Sequence, residues 1–107
     1  MEKTIGVIGG GSWATAIIKI LLNNTSKLNW WVRKQENVDF IKTYHHNQNY
    51  LSYIKFNPEQ IEISSDIKKV ITQSDILIWV VPSAFLYTSL EGLDEDLFAD
   101  KLHVTAI

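Results

Sequence analysis

Three consecutive glycines, Gly9-Gly10-Gly11, stand between a short β-rich run and a helical periodicity, and few folds accommodate that arrangement. Lys3 to Ile8 reads as a strand; from Ser12 to Asn23, Trp13, Ala16, Ile17, Ile20 and Leu21 recur at helical spacing. Strand, tight turn and helix in that order, with Ala14 at the small third position of a G-x-G-x-x-A pattern, is the geometry that brings main-chain amides up to a pyrophosphate. In this reading Gly9 permits the turn and Gly11 lets the backbone approach the ligand. The amides and positive helix end at Ser12 and Trp13 then face the negative charge. Ser12 fits the role of helix N-cap equally well, and a cap hydroxyl and a phosphate contact compete for one place.

The rest of the chain continues the alternation. Leu28 to Val32 reads as a second strand and Gln35 to Tyr44, with Val38 and Ile41, as a second helix. Asn47 to Glu59 is polar and aromatic and contains Pro58, which predicts a loop. Ile61 to Ile63 predicts a third strand, Asp66 caps a helix through Thr72, and Asp75 to Val81 is the most hydrophobic strand, ended by Pro82. Ser83 to about Leu90 predicts a fourth helix stopped by Gly92. Asp94 to Lys101 predicts a short helical turn, and His103 to Ile107 a buried fifth strand. Strands alternating with helices give an α/β fold of the Rossmann type, a doubly wound, mostly parallel sheet.

Residues 1–107 make one domain, with 46% apolar residues to fill its core. A last strand that reads as buried makes the chain an expected piece of a longer protein. The net charge of −2, without a run of Lys and Arg, disfavours nucleic acid and membrane as partners. The absence of cysteine excludes disulfides and thiolate metal sites, and neither a signal peptide nor a spanning helix is legible, so a cytoplasmic protein is expected.

Where dinucleotide-binding domains specific for NAD place an acid to bond the ribose diol, this chain offers Trp31-Val32-Arg33-Lys34, with no acid before Glu36. Two cations suit a 2′-phosphate better than a diol, which predicts NADP(H) as the preferred cofactor, with NAD(H) as the alternative. Arg33 and Lys34 also fit an ordinary solvated helix start.

Four segments resemble the N-terminal domain of bacterial-type NAD(P)-dependent glycerol-3-phosphate dehydrogenase. They are Gly9-x-Gly11-Ser12-Trp13-Ala14-Thr15-Ala16, Trp31-x-Arg33, Asn49-Tyr50-Leu51, and Val80-Val81-Pro82-Ser83 with Phe85. The family usually carries Gly where Ala14 stands, and Pro, within an Asn-x-x-Tyr-Leu-Pro segment, where Ser52 stands. The resemblance implies cofactor contacts from Ser12, Trp13, Arg33, Lys34 and Tyr50, with Phe85 near the nicotinamide half. It further implies hydride transfer between NAD(P)H and dihydroxyacetone phosphate, giving sn-glycerol 3-phosphate for phospholipid synthesis, and a homodimer. The family's catalytic lysines follow the fifth strand and lie in a helical C-terminal domain, so no catalytic residue is expected among these 107.

Other readings exist for several of these residues. Trp13 and Phe85 fit core filling, Tyr50 fits packing at a sheet edge, and Trp30 is assigned to core. His45, His46 and His103 lack partners at ligand spacing and read as surface or loop residues, so no metal site is expected. Asp94-Glu95-Asp96 reads as a solvated acidic turn, and Ser83 lacks a nucleophile elbow. The rival functions are a ketopantoate or β-hydroxyacid type reductase and a non-enzymatic nucleotide sensor.

Overall fold

The computed structural model describes residues 3–81, 88 and 90–106. Five four-residue strands, β1 (Ile5–Ile8), β2 (Leu28–Trp31), β3 (Ile61–Ser64), β4 (Ile76–Trp79) and β5 (Leu102–Thr105), pair in parallel in the order β3-β2-β1-β4-β5. Helices α1 (Ser12–Leu21), α2 (Gln35–Tyr44) and α3 (Ile67–Thr72) follow the first three strands. Parallel neighbours need crossovers, and helices between strands supply them.

Side chains alternating along each strand divide the core in two. Val7, Leu28, Trp30 and Ile63 pack with Ala14 and Ile18 of α1 and Val38 and Ile41 of α2. Ile8, Trp31, Leu77 and Trp79 pack on the other face with Val70 and Ile71 of α3. Adjacent Trp30 and Trp31 thus fill opposite layers, and Trp30 is fully buried, edge-on to Phe56. At the N-terminal end of the strands, a Cβ on Gly6 would lie 2.3 Å from Ser74 Oγ. That hydroxyl donates to the Val70 carbonyl and accepts from Asn29 Nδ2, so the end of α3 rests directly on β1.

Asp66 caps α3, its carboxylate accepting from Lys69 N–H at 3.3 Å. The loop between α2 and β3 closes with a short 3₁₀ turn, Pro58–Gln60, and the acidic run is exposed at a second one, Glu95–Phe98. Gly92, at φ +81°, adopts the left-handed conformation expected of a helix stop. The helix expected from Ser83, and Phe85 with it, falls on residues outside the described ones, apart from Thr88 and Leu90, which are helical.

Two expectations need correction. The N-cap of α1 is Gly11, and Ser12 is its first helical residue. The fifth strand begins at Leu102 and is exposed along its whole length, Leu102 at 60% and Val104 at 41%. It lies at the sheet edge beside β4, where a strand's apolar residues lack the second neighbour that buries them in the middle of a sheet. No helix among the described residues is long and apolar enough to cross a membrane.

Candidate functional site

The strand order reverses direction between β1 and β4, and a crevice opens at the carboxyl ends of those strands. It measures about 420 Å³ and is lined by the glycine turn, Ser12, Trp13 and Ala14, by Trp31, Arg33 and Tyr50, and by Val80, Val81 and Ala106.

The turn is built so that only glycine serves at its first position. Gly9 has φ +142°, and a Cβ there would meet the Val80 carbonyl oxygen at 2.6 Å. Its N–H donates to Trp31 O at 3.0 Å, extending the β1–β2 ladder by one bond. Gly11 differs: nothing lies within 4 Å of an added Cβ, and its backbone is extended at φ −83° and ψ −168°. Its lack of a side chain leaves open the space in front of the helix.

The carbonyls of the turn are all held inward. Trp30 Nε1 donates to Gly9 O at 2.6 Å, and Asn47 Nδ2 donates to Gly10 O at 2.9 Å. Gly11 O accepts from both Thr15 N–H at 3.0 Å and Thr15 Oγ1 at 2.8 Å. The chain has no cis peptide bond among the described residues, so each inward carbonyl sends the next residue's N–H the other way. The amides of Gly10, Gly11 and Ser12 accordingly find no acceptor among the described residues. Together with the first turn of α1 they form a patch of unpaired donors at a positive helix end, suited to an oxyanion.

Gly9, Gly11, Ser12, Trp13, Arg33 and Tyr50 all line this crevice. Trp13 is 70% and Tyr50 47% exposed, so neither is a core residue. Lys34 is exposed at the N-cap of α2 and is not part of the lining, while Phe85 lies outside the described residues. Sequence reasoning missed the crevice walls Val80, Val81 and Ala106, and it missed Asn47, whose only signal was its place three residues before Tyr50 in an Asn-x-x-Tyr-Leu run.

The histidines stand apart from the crevice. His45 ends α2 in the left-handed conformation, His46 packs against Phe40, and His103 accepts from Trp79 Nε1 at 3.0 Å. No cluster of three or more potential metal ligands occurs among the described residues.

Comparison with known proteins agrees with this geometry. The profile of a family described as the NAD-dependent glycerol-3-phosphate dehydrogenase N-terminus matches residues 4–107. A glycerol-3-phosphate dehydrogenase [NAD(P)+] of Agathobacter rectalis is 35% identical over 81 residues, which are 76% of this chain and 24% of that protein. Its counterpart in Pseudomonas fluorescens is 33% identical over 104 residues, 97% of this chain and 30% of that one. The solved glycerol-3-phosphate dehydrogenase of Plasmodium falciparum superposes with a TM-score of 0.81 at 31% identity, covering 96% of this chain and 31% of its own. The chain therefore spans less than a third of the length of these relatives.

Proposed function

The chain belongs to the family of N-terminal domains of NAD-dependent glycerol-3-phosphate dehydrogenase, and from that premise we propose that its crevice holds the pyrophosphate of a nicotinamide dinucleotide. The observation that carries the reading is the glycine turn with three carbonyls bonded inward and the following amides turned out, beside an open Gly11. Residues of this chain fit the group: Gly9 shapes the turn, Gly11 admits the phosphates, and the amides at Ser12 and Trp13 hold the charge. Tyr50 and Trp13 supply exposed aromatic surface to the rest of the ligand.

Arg33 on the crevice wall and Lys34 beside it favour NADP(H) over NAD(H), because a guanidinium binds a 2′-phosphate bidentately and no carboxylate stands there to hold a diol. The bound dinucleotide supplies the hydride. The full reaction we assign is reduction of dihydroxyacetone phosphate by NAD(P)H and a proton to sn-glycerol 3-phosphate and NAD(P)+, feeding phospholipid synthesis. The relatives are more than three times as long as the stretch they share with this chain, so residues 1–107 are assigned the cofactor domain, and substrate binding and proton delivery the part of the relatives beyond it. A cytoplasmic homodimer is the setting we assign to the whole enzyme.

Titrating the chain with NADPH and NADH while following tryptophan fluorescence tests the cofactor reading. Saturable binding of both, tighter for NADPH, is expected. Binding of neither overturns the reading, and equal or tighter binding of NADH overturns the preference alone. For the reaction, a protein carrying this domain together with the remaining length of its relatives should oxidise NAD(P)H only when dihydroxyacetone phosphate is added, and ketopantoate should not replace it.

A further inference from the structure

The side chains that hold the turn's carbonyls come from three different segments, and none of them lines the crevice. Trp30 lies on β2, Thr15 on α1, and Asn47 in the loop after α2. All three are buried, Trp30 and Thr15 completely and Asn47 to 3% exposure. Asn47 is the hub. One amide group serves both Gly10 O at 2.9 Å and Thr15 Oγ1 at 3.1 Å, and the Thr15 hydroxyl in turn donates to Gly11 O. The Asn47 carbonyl oxygen accepts from Asn49 N–H at 3.0 Å, which fixes the loop that carries Tyr50 to the crevice wall.

A free carbonyl at the mouth of an anion site would point its negative end at the ligand and its peptide partner's N–H away. From this we propose that Asn47, with Trp30, is a positioning residue for the pyrophosphate. It locks the amides of Gly10, Gly11 and Ser12 outward and couples that lock to Tyr50. The inference rests on the cofactor reading above. Asparagine suits the place because a buried primary amide offers two donors and an acceptor without charge. Leucine has a similar volume but offers none of these.

The test compares Asn47→Leu with the unaltered chain, using ADP-ribose, which has the pyrophosphate, and adenosine 2′-monophosphate, which lacks it. Affinity for ADP-ribose should fall about tenfold or more while that for adenosine 2′-monophosphate changes less than about twofold, since only the former uses the locked amides. Equal losses for both ligands, or no loss for either in a folded variant, overturn the positioning role. If Asn47→Leu does not fold, the unaltered chain decides by ¹⁵N NMR. The Trp30 indole and Asn47 amide signals should shift with ADP-ribose and not with adenosine 2′-monophosphate, and signals that stay still while the Gly11 amide moves overturn it. An unaltered chain that binds neither ADP-ribose nor NAD(P)H removes the cofactor reading itself, and this inference with it.

Discussion

Replacing Gly9 and Gly11 separately by alanine should divide stability from ligand binding within a single turn. At Gly9 the new Cβ would sit 2.6 Å from the Val80 carbonyl oxygen and 2.9 Å from its carbonyl carbon, at φ +142°. Val80 is poorly placed to retreat, because its N–H bonds Ile8 O at 2.8 Å and so extends the β1–β4 ladder. Overpacking costs about 1–3 kcal/mol and the strained backbone about as much again, so Gly9→Ala should lose about 2–6 kcal/mol of a total of about 5–15. For a domain of this size that lowers Tm by about 10 °C or more. At Gly11 the backbone is one that alanine adopts freely, and the added methyl touches nothing. A poorer N-cap costs up to about 1 kcal/mol and a stiffer unfolded chain returns about 0.4–1, so Tm should stay within a few degrees. The methyl nonetheless stands where the diphosphate must come up to the amides, and NADPH affinity should fall about tenfold or more. Thermal melts by circular dichroism and fluorescence titration read the two effects. A Gly11→Ala chain that melts early yet binds normally, or a Gly9→Ala chain with unchanged Tm, would refute the reasoning.

Ser74→Ala removes a buried hydroxyl bonded to Val70 and Asn29 at the opposite end of the strands from the crevice. It should cost about 1–3 kcal/mol in urea denaturation and leave NADPH affinity unchanged. Trp13→Ala should change stability by no more than about 0.5 kcal/mol, as befits an exposed side chain, and should weaken dinucleotide binding; a large drop in Tm would show that Trp13 belongs to the core. Arg33→Gln should lower the ratio of NADPH to NADH affinity by about tenfold, and the preference of the unaltered chain should weaken as salt is raised. A ratio that stays fixed on substitution places the 2′-phosphate elsewhere.

The layered fold was legible because its signals are local. A glycine cluster between a strand and a helix, an Asp66 cap and a Gly92 stop depend on a few neighbours in sequence, and α2 and α3 run where spacing and capping put them. The fifth strand was misjudged for the opposite reason. Its alternation looks the same whether the strand is central or at an edge, and within residues 1–107 it stands at the edge of the order β3-β2-β1-β4-β5, which no short window encodes. Ser12 was left between N-cap and phosphate contact because a serine before a helix suits either, and the cap falls instead on Gly11, since a glycine is itself an acceptable cap.

The crevice was legible on its amide side and illegible on its carbonyl side, and the asymmetry has a physical origin. An anion site is recognised in sequence by what must be absent, the side chains at Gly9 and Gly11. What holds the turn in shape is present but distant. Trp30 reaches back 21 residues to Gly9, and Asn47 reaches 37 residues to Gly10. Trp30 reads as core by every local criterion and is core, yet its indole N–H also fixes a carbonyl, because a tryptophan buried beside main chain must satisfy that donor somewhere. Asn47 reads as a loop residue, but a buried asparagine is stable only if its amide is bonded, and the Gly10 carbonyl is an acceptor that no helix or strand has claimed. The two needs meet in one contact. The glycine turn and the buried amide therefore stabilise each other, and a substitution at either end should be felt at the other.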